Sequence, residues 1–272
     1  GLSRLPNGNL ILMVRMAEAL RHPVQEGGIR SIRWDRERGY VLDTYALSEV
    51  DASDPRKFVL QSYEPTPVFA LTSLSWLLPV ELDAAGERVV HIHYDKIIAP
   101  EAPYQEYGIE DARISRIEGK YFLTTCSVSS ERHGTTLYRS DDGLNYTLEG
   151  IILDHQNKDM LLFEGRIGGR YYALTRPLGS AYFATPPGSP YQPGPSINLA
   201  ESPDLLHWKP LDEPFLRLRE NGRALLKLGG GAQPILTPRG WLILFHLVEK
   251  KGEVGIYTTH WALLDKEDPT RI

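Results

Sequence analysis

The chain has 272 residues, with 30 Lys and Arg against 35 Asp and Glu for a net charge of -5. That balance argues against a general nucleic-acid binder, whose affinity for phosphate backbones rests on concentrated Lys and Arg. No apolar run approaches membrane-spanning length, and no basic-then-apolar signal segment follows Gly1-Leu-Ser3.

Twenty-four glycines and 20 prolines suit a chain of many turns, and the elements read as turn-then-strand from the start. Pro6-Asn-Gly8 leads into Asn9-Leu-Ile-Leu-Met-Val14, and Arg38-Gly39 leads into Tyr40-Val-Leu42. His91-Ile-His93 alternates like residues on one strand face, but no third ligand lies nearby, so no metal is expected there. The stretch Tyr107-Gly-Ile-Glu110-Asp111-Ala-Arg113-Ile114 runs to a turn at Glu118-Gly119-Lys120 and then a strand, Tyr121-Phe-Leu-Thr-Thr-Cys126. The same order returns about fifty residues later as Glu164-Gly-Arg166-Ile167-Gly-Gly-Arg170-Tyr-Tyr-Ala-Leu-Thr175. A looser copy is Gln233-Pro-Ile235-Leu-Thr-Pro-Arg-Gly240-Trp-Leu-Ile-Leu-Phe245.

A second element repeats in phase. Ser140-Asp-Asp142-Gly-Leu-Asn-Tyr146 and Ser202-Pro-Asp204-Leu-Leu-His-Trp208 each follow one of those strands. Self-similarity at this period marks a repeated strand-turn-strand unit, and the chain has room for about five, which predicts an all-β, five-bladed β-propeller; the alternative is a sandwich of ordinary hairpins. The Pro-rich stretch 185–195 lies inside a repeat and reads as a rigid surface loop near a binding face, so residues 1–272 are taken as one catalytic domain.

The single Cys126 permits no internal disulfide, which favours the cytoplasm, and its apolar strand makes it a buried structural thiol. Neither a Gly-x-Ser-x-Gly elbow nor a Gly-x-Gly-x-x-Gly loop before a helix occurs. Gly229-Gly-Gly231 precedes a strand and reads as a loop hugging substrate. Carboxylates are the expected catalysts. Glu110-Asp111, Asp154, Asp159, Glu164 and Asp265 lie at strand or loop junctions among Arg113, Lys158, Arg166 and Arg176, where neighbouring charges split carboxyl pKa values into an acid and a base. Tyr107, Tyr182, Tyr191, Trp208 and Trp241 would supply apolar faces for sugar rings, while Glu118, Asp141 and Glu149 read as solvated turns or ion pairs.

From about Arg15 to the C-terminus the chain resembles glycoside hydrolase family 130, the mannoside phosphorylases and mannosidases. Gly108-Ile-Glu-Asp-Ala-Arg-Ile114 is similar to that family's Gly-x-Glu-Asp-Pro-Arg-Ile. Asn157-Lys-Asp159, Thr175-Arg-Pro177, Ser202-Pro-Asp-Leu-Leu-His-Trp208, Gly229-Gly-Gly231, Gly240-Trp241, Phe245-His246 and Ala262-Leu-Leu-Asp265 follow in the family's order. The resemblance implies a five-bladed propeller, Asp111 as proton donor, a β-mannoside oligosaccharide as substrate and no metal or organic cofactor. Sugar or phosphate would be held by Arg15, Glu110, Arg113, Asn157, Lys158, Arg176, Asp204, His246 and Asp265.

Thr175 and Phe245 stand where family phosphorylases have His and Tyr, and Leu148 where an Arg is usual. Charge-assisted hydrogen bonds contribute about 1.5–3 kcal/mol each, so three lost donors predict a weakened phosphate site. The sequence therefore favours an inverting mannosidase, with Asp111 as general acid and Glu164, then Asp159, as the base that activates water. The alternatives are a phosphorylase that takes inorganic phosphate and releases mannose 1-phosphate, and a non-catalytic carbohydrate-binding propeller.

Overall fold

Alternation of buried and exposed side chains draws the chain into strands, and the turns between them set how the strands pair. In this computed structural model the described residues are 1–54, 56–60, 68–153, 155–178, 187–219, 225–252 and 255–272. Asp154 and Tyr182 lie outside them, as does the side chain of Tyr191. Among the described residues regular structure is almost entirely β, with short 3-10 turns at Leu47–Glu49, Tyr94–Lys96 and Pro103–Gln105.

The strands form four sheets that follow one another along the chain. The first joins Leu2–Arg4, Leu10–Ala19, Ser73–Leu82 and Val89–Ile92. Ile109–Ile117, Lys120–Val128, His133–Ser140 and Thr147–Ile151 make the second, in simple up-and-down order. Asn157–Ile167, Arg170–Pro177, Tyr191–Ser202 and Lys209–Arg219 repeat that order as the third. In the fourth, Gly240–Glu249 pairs with Leu225–Gly230, Ile235–Thr237 and Ile256–Leu264. Two three-stranded sheets, Val24–Gln25 with Gly28–Asp35 and Gly39–Ala46, and Val50–Asp51 with Lys57–Leu60 and Val68–Leu71, are inserted between the second and third strands of the first sheet.

The repeats seen in the sequence are the hairpins of the second and third sheets. Glu118-Gly119 and Gly168-Gly169 close them with positive φ at both positions, 50° and 82°, then 57° and 84°. Two-residue hairpins need that backbone because its twist matches the strands. The Ser-x-Asp elements are also one structure used twice. Ser140 Oγ accepts the amide of Gly143 and Asp142 that of Asn145; Ser202 and Asp204 accept those of Leu205 and His207.

Consecutive sheets pack face to face, each pair enclosing its own apolar layer. Ile11, Met13 and Leu77 meet Ile109, Ile114 and Leu123 between the first two. Ile117 and Leu137 meet Met160, Leu162 and Ala173 in the next, and Phe163, Leu174 and Leu199 meet Leu228, Trp241 and Ile243 in the last. Polar cross-links fix the spacing: Thr124 Oγ1 donates to Met160 O at 2.7 Å, Ser115 Oγ to Leu162 O at 3.2 Å, and Tyr121 Oη to Arg4 O at 2.8 Å. Gln233 Nε2 donates to Leu2 O at 3.0 Å, which ties the fourth sheet to the first.

Gly108 is a tight joint between the first and second sheets. Its φ is 105°, it bridges in parallel to Ser75, and an added Cβ would lie 2.5 Å from Ser75 O. Gly108→Ala is therefore expected to cost about 3 kcal/mol or more, whereas Gly119→Ala, with nothing within 4 Å, costs about 1 kcal/mol of backbone strain. Urea denaturation of both variants at constant m measures the difference; equal costs would show that the Ser75 contact yields freely.

Candidate active site

The first strands of the second and third sheets are irregular at the same point. Pairing of Ile109–Ile117 with its neighbour shifts register between Glu110 and Arg113, and that of Asn157–Ile167 between Lys158 and Leu161. Within each bulge an aspartate takes left-handed backbone, Asp111 at φ 54° and Asp159 at φ 49°. For a non-glycine residue this costs about 1–2 kcal/mol, and such residues gather where a bulge re-aims a side chain. Glu110-Asp111 and Lys158-Asp159 are thus equivalent positions of two consecutive sheets.

Around them lie two linked charge groups. Glu110 is clamped between Arg15 Nη2 at 2.8 Å and Lys158 Nζ at 2.9 Å, and Asp111 Oδ1 lies 3.3 Å from Arg15 Nη1. Arg15 is steadied by Ser75, whose Oγ accepts from its Nε at 3.0 Å. Burial works against the charge of Lys158, but Glu110 and Asp111 outweigh it and hold its pKa above the ordinary lysine value. The second group centres on Asp159, whose side chain is 5% exposed. Arg176 Nη1 lies 2.8 Å from its Oδ2, Arg113 Nη2 3.8 Å from its Oδ1, and His246 Nε2 3.9 Å from Oδ2.

Asp159 Oδ2 and Arg176 Nε are nonetheless buried without an aligned hydrogen bond among the described residues. Asn157, fully buried, accepts the amide of Arg176 at 2.8 Å, and Arg113 Nε donates to Gly231 O at 2.7 Å. Burial holds the His246 imidazole below its ordinary pKa; Asp159 opposes this, and the charges of Arg176, Arg113 and Lys227 add to it. Ser75, His133, Lys227 and Tyr257 also border the cluster. Sequence reasoning missed them because each stands outside the motif residues, even where its strand carries a motif.

Several expectations are corrected here. Glu164 is not with Asp111 or Asp159; its carboxylate accepts the amide of Arg116 at 2.7 Å, five residues along the strand from Asp159, a separation of roughly 15 Å. Asp204 and Asp265 form turns. Asp204 is held well below the usual carboxylate range by the amide and ring of His207 and the amide of Leu206, and Asp265 accepts the amides of Glu267 and Asp268. Gly229 and Gly230 lie in a strand rather than a loop, and side chains of the cluster pack against Gly229: a Cβ there would be 2.5 Å from Asp159 Oδ2. Trp241 is core, 3% exposed and edge-on to Phe163, and Trp208 caps its own turn through Leu205 O.

The three residues taken as lost phosphate donors do not bear on the cluster. Leu148 sits on the outermost strand of the second sheet, packed on the core. Thr175 donates to Asn198 O, and Phe245 stacks on His260. As immediate neighbours of Arg176 and His246 in strands, those two point to the opposite face. Cys126 is buried, and burial pushes its thiol up to about 12, as a structural thiol requires.

Residues 78–272 match a family model described as beta-1,4-mannooligosaccharide phosphorylase. The chain is 30% identical over 273 residues to a beta-1,2-mannobiose phosphorylase of Listeria innocua, covering 97% of this chain and 70% of that protein. It is 28% identical over 182 residues to a 1,2-beta-oligomannan phosphorylase of Thermoanaerobacter, covering 65% of this chain and 54% of that relative, so it spans about half the relative's length. The solved structure of the Listeria innocua protein with beta-1,2-mannobiose superposes with a TM-score of 0.81 at 30% identity, over 100% of this chain and 72% of that one.

The depressed pKa of His246 has a consequence for stability. Because the unfolded chain takes up that proton more readily, near the ordinary value of about 6.5, the full contribution is present above that pH and is lost as pH falls through it. Urea unfolding between pH 5 and 8 is expected to show less decline toward acid in His246→Gln than in the parent; an unchanged slope would mean the imidazole titrates freely in the folded state.

Proposed function

The chain belongs to glycoside hydrolase family 130, and on that footing we propose that it is an inverting β-mannoside phosphorylase. In this reading inorganic phosphate attacks the anomeric carbon of a β-mannoside, the glycosidic C–O bond breaks, the aglycone departs as the protonated alcohol, and mannose 1-phosphate is formed with inversion. The observation that carries it is the employment of the carboxylates. Hydrolysis with inversion needs a second carboxylate free to take a proton from water. Among the described residues, Glu110 is tied to Arg15 and Lys158, Asp159 to Arg176, and Glu164 lies at the far end of its strand. Phosphate, being already an anion, needs no base.

The cations favour the same reading. Arg113 and Arg176, with the neutral donor His246, converge near Asp159, and Arg176 Nε is a donor without an aligned hydrogen bond among the described residues. Guanidinium groups bind phosphate through paired N–H donors, so the cluster suits an oxyanion. Asp111 is the general acid. It donates its proton toward the leaving oxygen, by way of a mannose hydroxyl as the family resemblance implies, while phosphate approaches the opposite ring face. Glu110, fixed by two cations, orients the sugar together with Arg15 and Lys158. No metal or organic cofactor enters the scheme.

The fold that presents these residues is read as a five-bladed β-propeller. The support is the succession of face-to-face sheets, two of whose first strands carry the Glu110-Asp111 and Lys158-Asp159 bulges, and the Gln233–Leu2 bond between the last sheet and the first. The substrate is proposed to be a β-mannobiose or short β-mannoside oligosaccharide. Since the Listeria innocua relative is named for β-1,2-mannobiose, that disaccharide is the first to test.

Incubating the protein with β-1,2- and β-1,4-mannobiose, with and without phosphate, is expected to give mannose 1-phosphate at a rate that saturates with phosphate. Release of free mannose at the same rate without phosphate would instead establish hydrolysis. Asp111→Asn is expected to lower turnover by about 10²–10⁴, the usual worth of general acid catalysis, while leaving sugar binding in place. Wild-type turnover in that variant would remove Asp111 from its role.

A further inference from the structure

A cavity of about 930 Å³ opens beside the inserted sheet of Gly28–Asp35 and Gly39–Ala46, and none of its lining residues belongs to the charge cluster. Three segments wall it: residues 33–38 at the turn of that sheet, residues 103–106 at the Pro103–Gln105 turn, and the hairpin loop 129–132 of the second sheet. The walls are tied to one another. Trp34 N donates to Glu106 O at 2.7 Å and Ser130 N to Glu106 Oε2 at 3.0 Å, while Asp35 Oδ1 accepts the amides of Glu37 and Arg38 and closes the turn. Residues 33–38 lie outside residues 78–272, the part that matches the family model, so that match does not account for this wall.

The lining sets the character of a ligand. It carries four arginines and four carboxylates, so the cavity has no net charge with which to select an anion or a cation. Trp34 and Tyr104, both half-buried, supply apolar ring surface from two different walls. The indole N–H of Trp34 and the guanidinium groups of Arg36 and Arg132 have no partner among the described residues, which leaves their donors open. Flat apolar surface edged by free polar groups suits a neutral ring rich in hydroxyls, which is a saccharide.

The cavity lies at the same end of the second sheet as Asp111. Ile109 pairs with Ser127 and Tyr107 N donates to Val128 O, so the start of the Asp111 strand and the loop 129–132 share that end. Glu106 stands four residues before Glu110, and four extended residues span at most about 14 Å, a distance that a few linked sugar rings cover. His133, next in the chain to Arg132, continues the wall toward the cluster: burial holds its imidazole below the ordinary pKa, and the charges of Lys158 and Glu110 act on it with opposite sign. We propose that this cavity is a second saccharide site, in which Trp34 and Tyr104 hold the sugar units of a β-mannoside oligosaccharide that extend beyond the pair at Asp111. The proposal rests on the mannoside reading of the substrate and is independent of whether phosphate or water is the acceptor. Under it the enzyme prefers oligosaccharides to mannobiose, which is too short to fill the cavity.

The test is initial-rate kinetics with β-1,2-mannobiose, mannotriose and mannotetraose, with and without phosphate, on the parent, Trp34→Ala and Arg132→Ala. In the parent kcat/KM is expected to rise about tenfold or more from mannobiose to mannotetraose. Trp34→Ala should lose most of that rise and Arg132→Ala part of it, while both keep kcat/KM for mannobiose within about twofold of the parent. Arg132 is exposed and unpaired among the described residues, so its replacement probes the cavity even where Trp34→Ala lowers the melting temperature. Calorimetric titration of mannotetraose into Asp111→Asn, with and without Trp34→Ala, reads binding apart from turnover, and the added substitution should weaken it about tenfold. Equal kcat/KM for all three lengths in the parent overturns the proposal. So does a loss in Trp34→Ala that is the same for mannobiose as for mannotetraose, since that marks a structural role alone. A parent that turns over none of these mannosides overturns the mannoside reading beneath the proposal, and is recognised before any variant is made.

Discussion

A carboxylate with only 5% of its side chain exposed has to be paired, and the need to pair Asp159 organises this structure. Arg176 meets it at 2.8 Å from the adjacent strand of its own sheet, Arg113 reaches it from the second sheet, and His246 from the fourth. Breaking a buried ion pair typically costs about 3–5 kcal/mol; the tight pair lies within the third sheet, and the contacts from the second and fourth sheets are longer, at 3.8 and 3.9 Å. The remaining geometry follows. Asn157 holds the Arg176 backbone, Arg113 anchors on Gly231 O, and Gly229 has no side chain because a Cβ there would collide with Asp159.

The same requirement explains how the site divides its charges. Glu110 belongs to Arg15 and Lys158, and Asp159 to Arg176, leaving Asp111 with one contact at 3.3 Å to Arg15. Asp111 is then the least engaged of the three, as the general-acid role proposed for it requires. The other two are engaged by cations at 2.8–2.9 Å. Left-handed backbone at Asp111 and Asp159 is the local cost of aiming both side chains out of their sheets toward the same region.

Much of the frame was legible because it is local. The Glu118-Gly119 and Gly168-Gly169 turns, the strands on either side of them and the paired Ser-x-Asp elements stand in the structure as their sequences imply. The readings that failed were those that assigned a side chain to an end or a face. Asp204 and Asp265 looked like ligands and spend their oxygens on turn amides. Glu164 looked equivalent to Asp159 as a strand-junction carboxylate, yet five residues of extended chain separate them. Trp241 was read as a sugar platform and is packed against Phe163.

By itself the sequence determined the all-β character, the repeat, the family and the Glu110-Asp111, Lys158-Asp159 and Arg176 segments, since each rests on residue types at short spacing. Only the tertiary structure decided which of these meet. Register shifts inside two strands turn Asp111 and Asp159 out of their sheets, and strand pairing brings Lys227 and Tyr257 to the face of His246. A register shift or a facing strand is set by packing between segments far apart in the chain, and no local pattern encodes it.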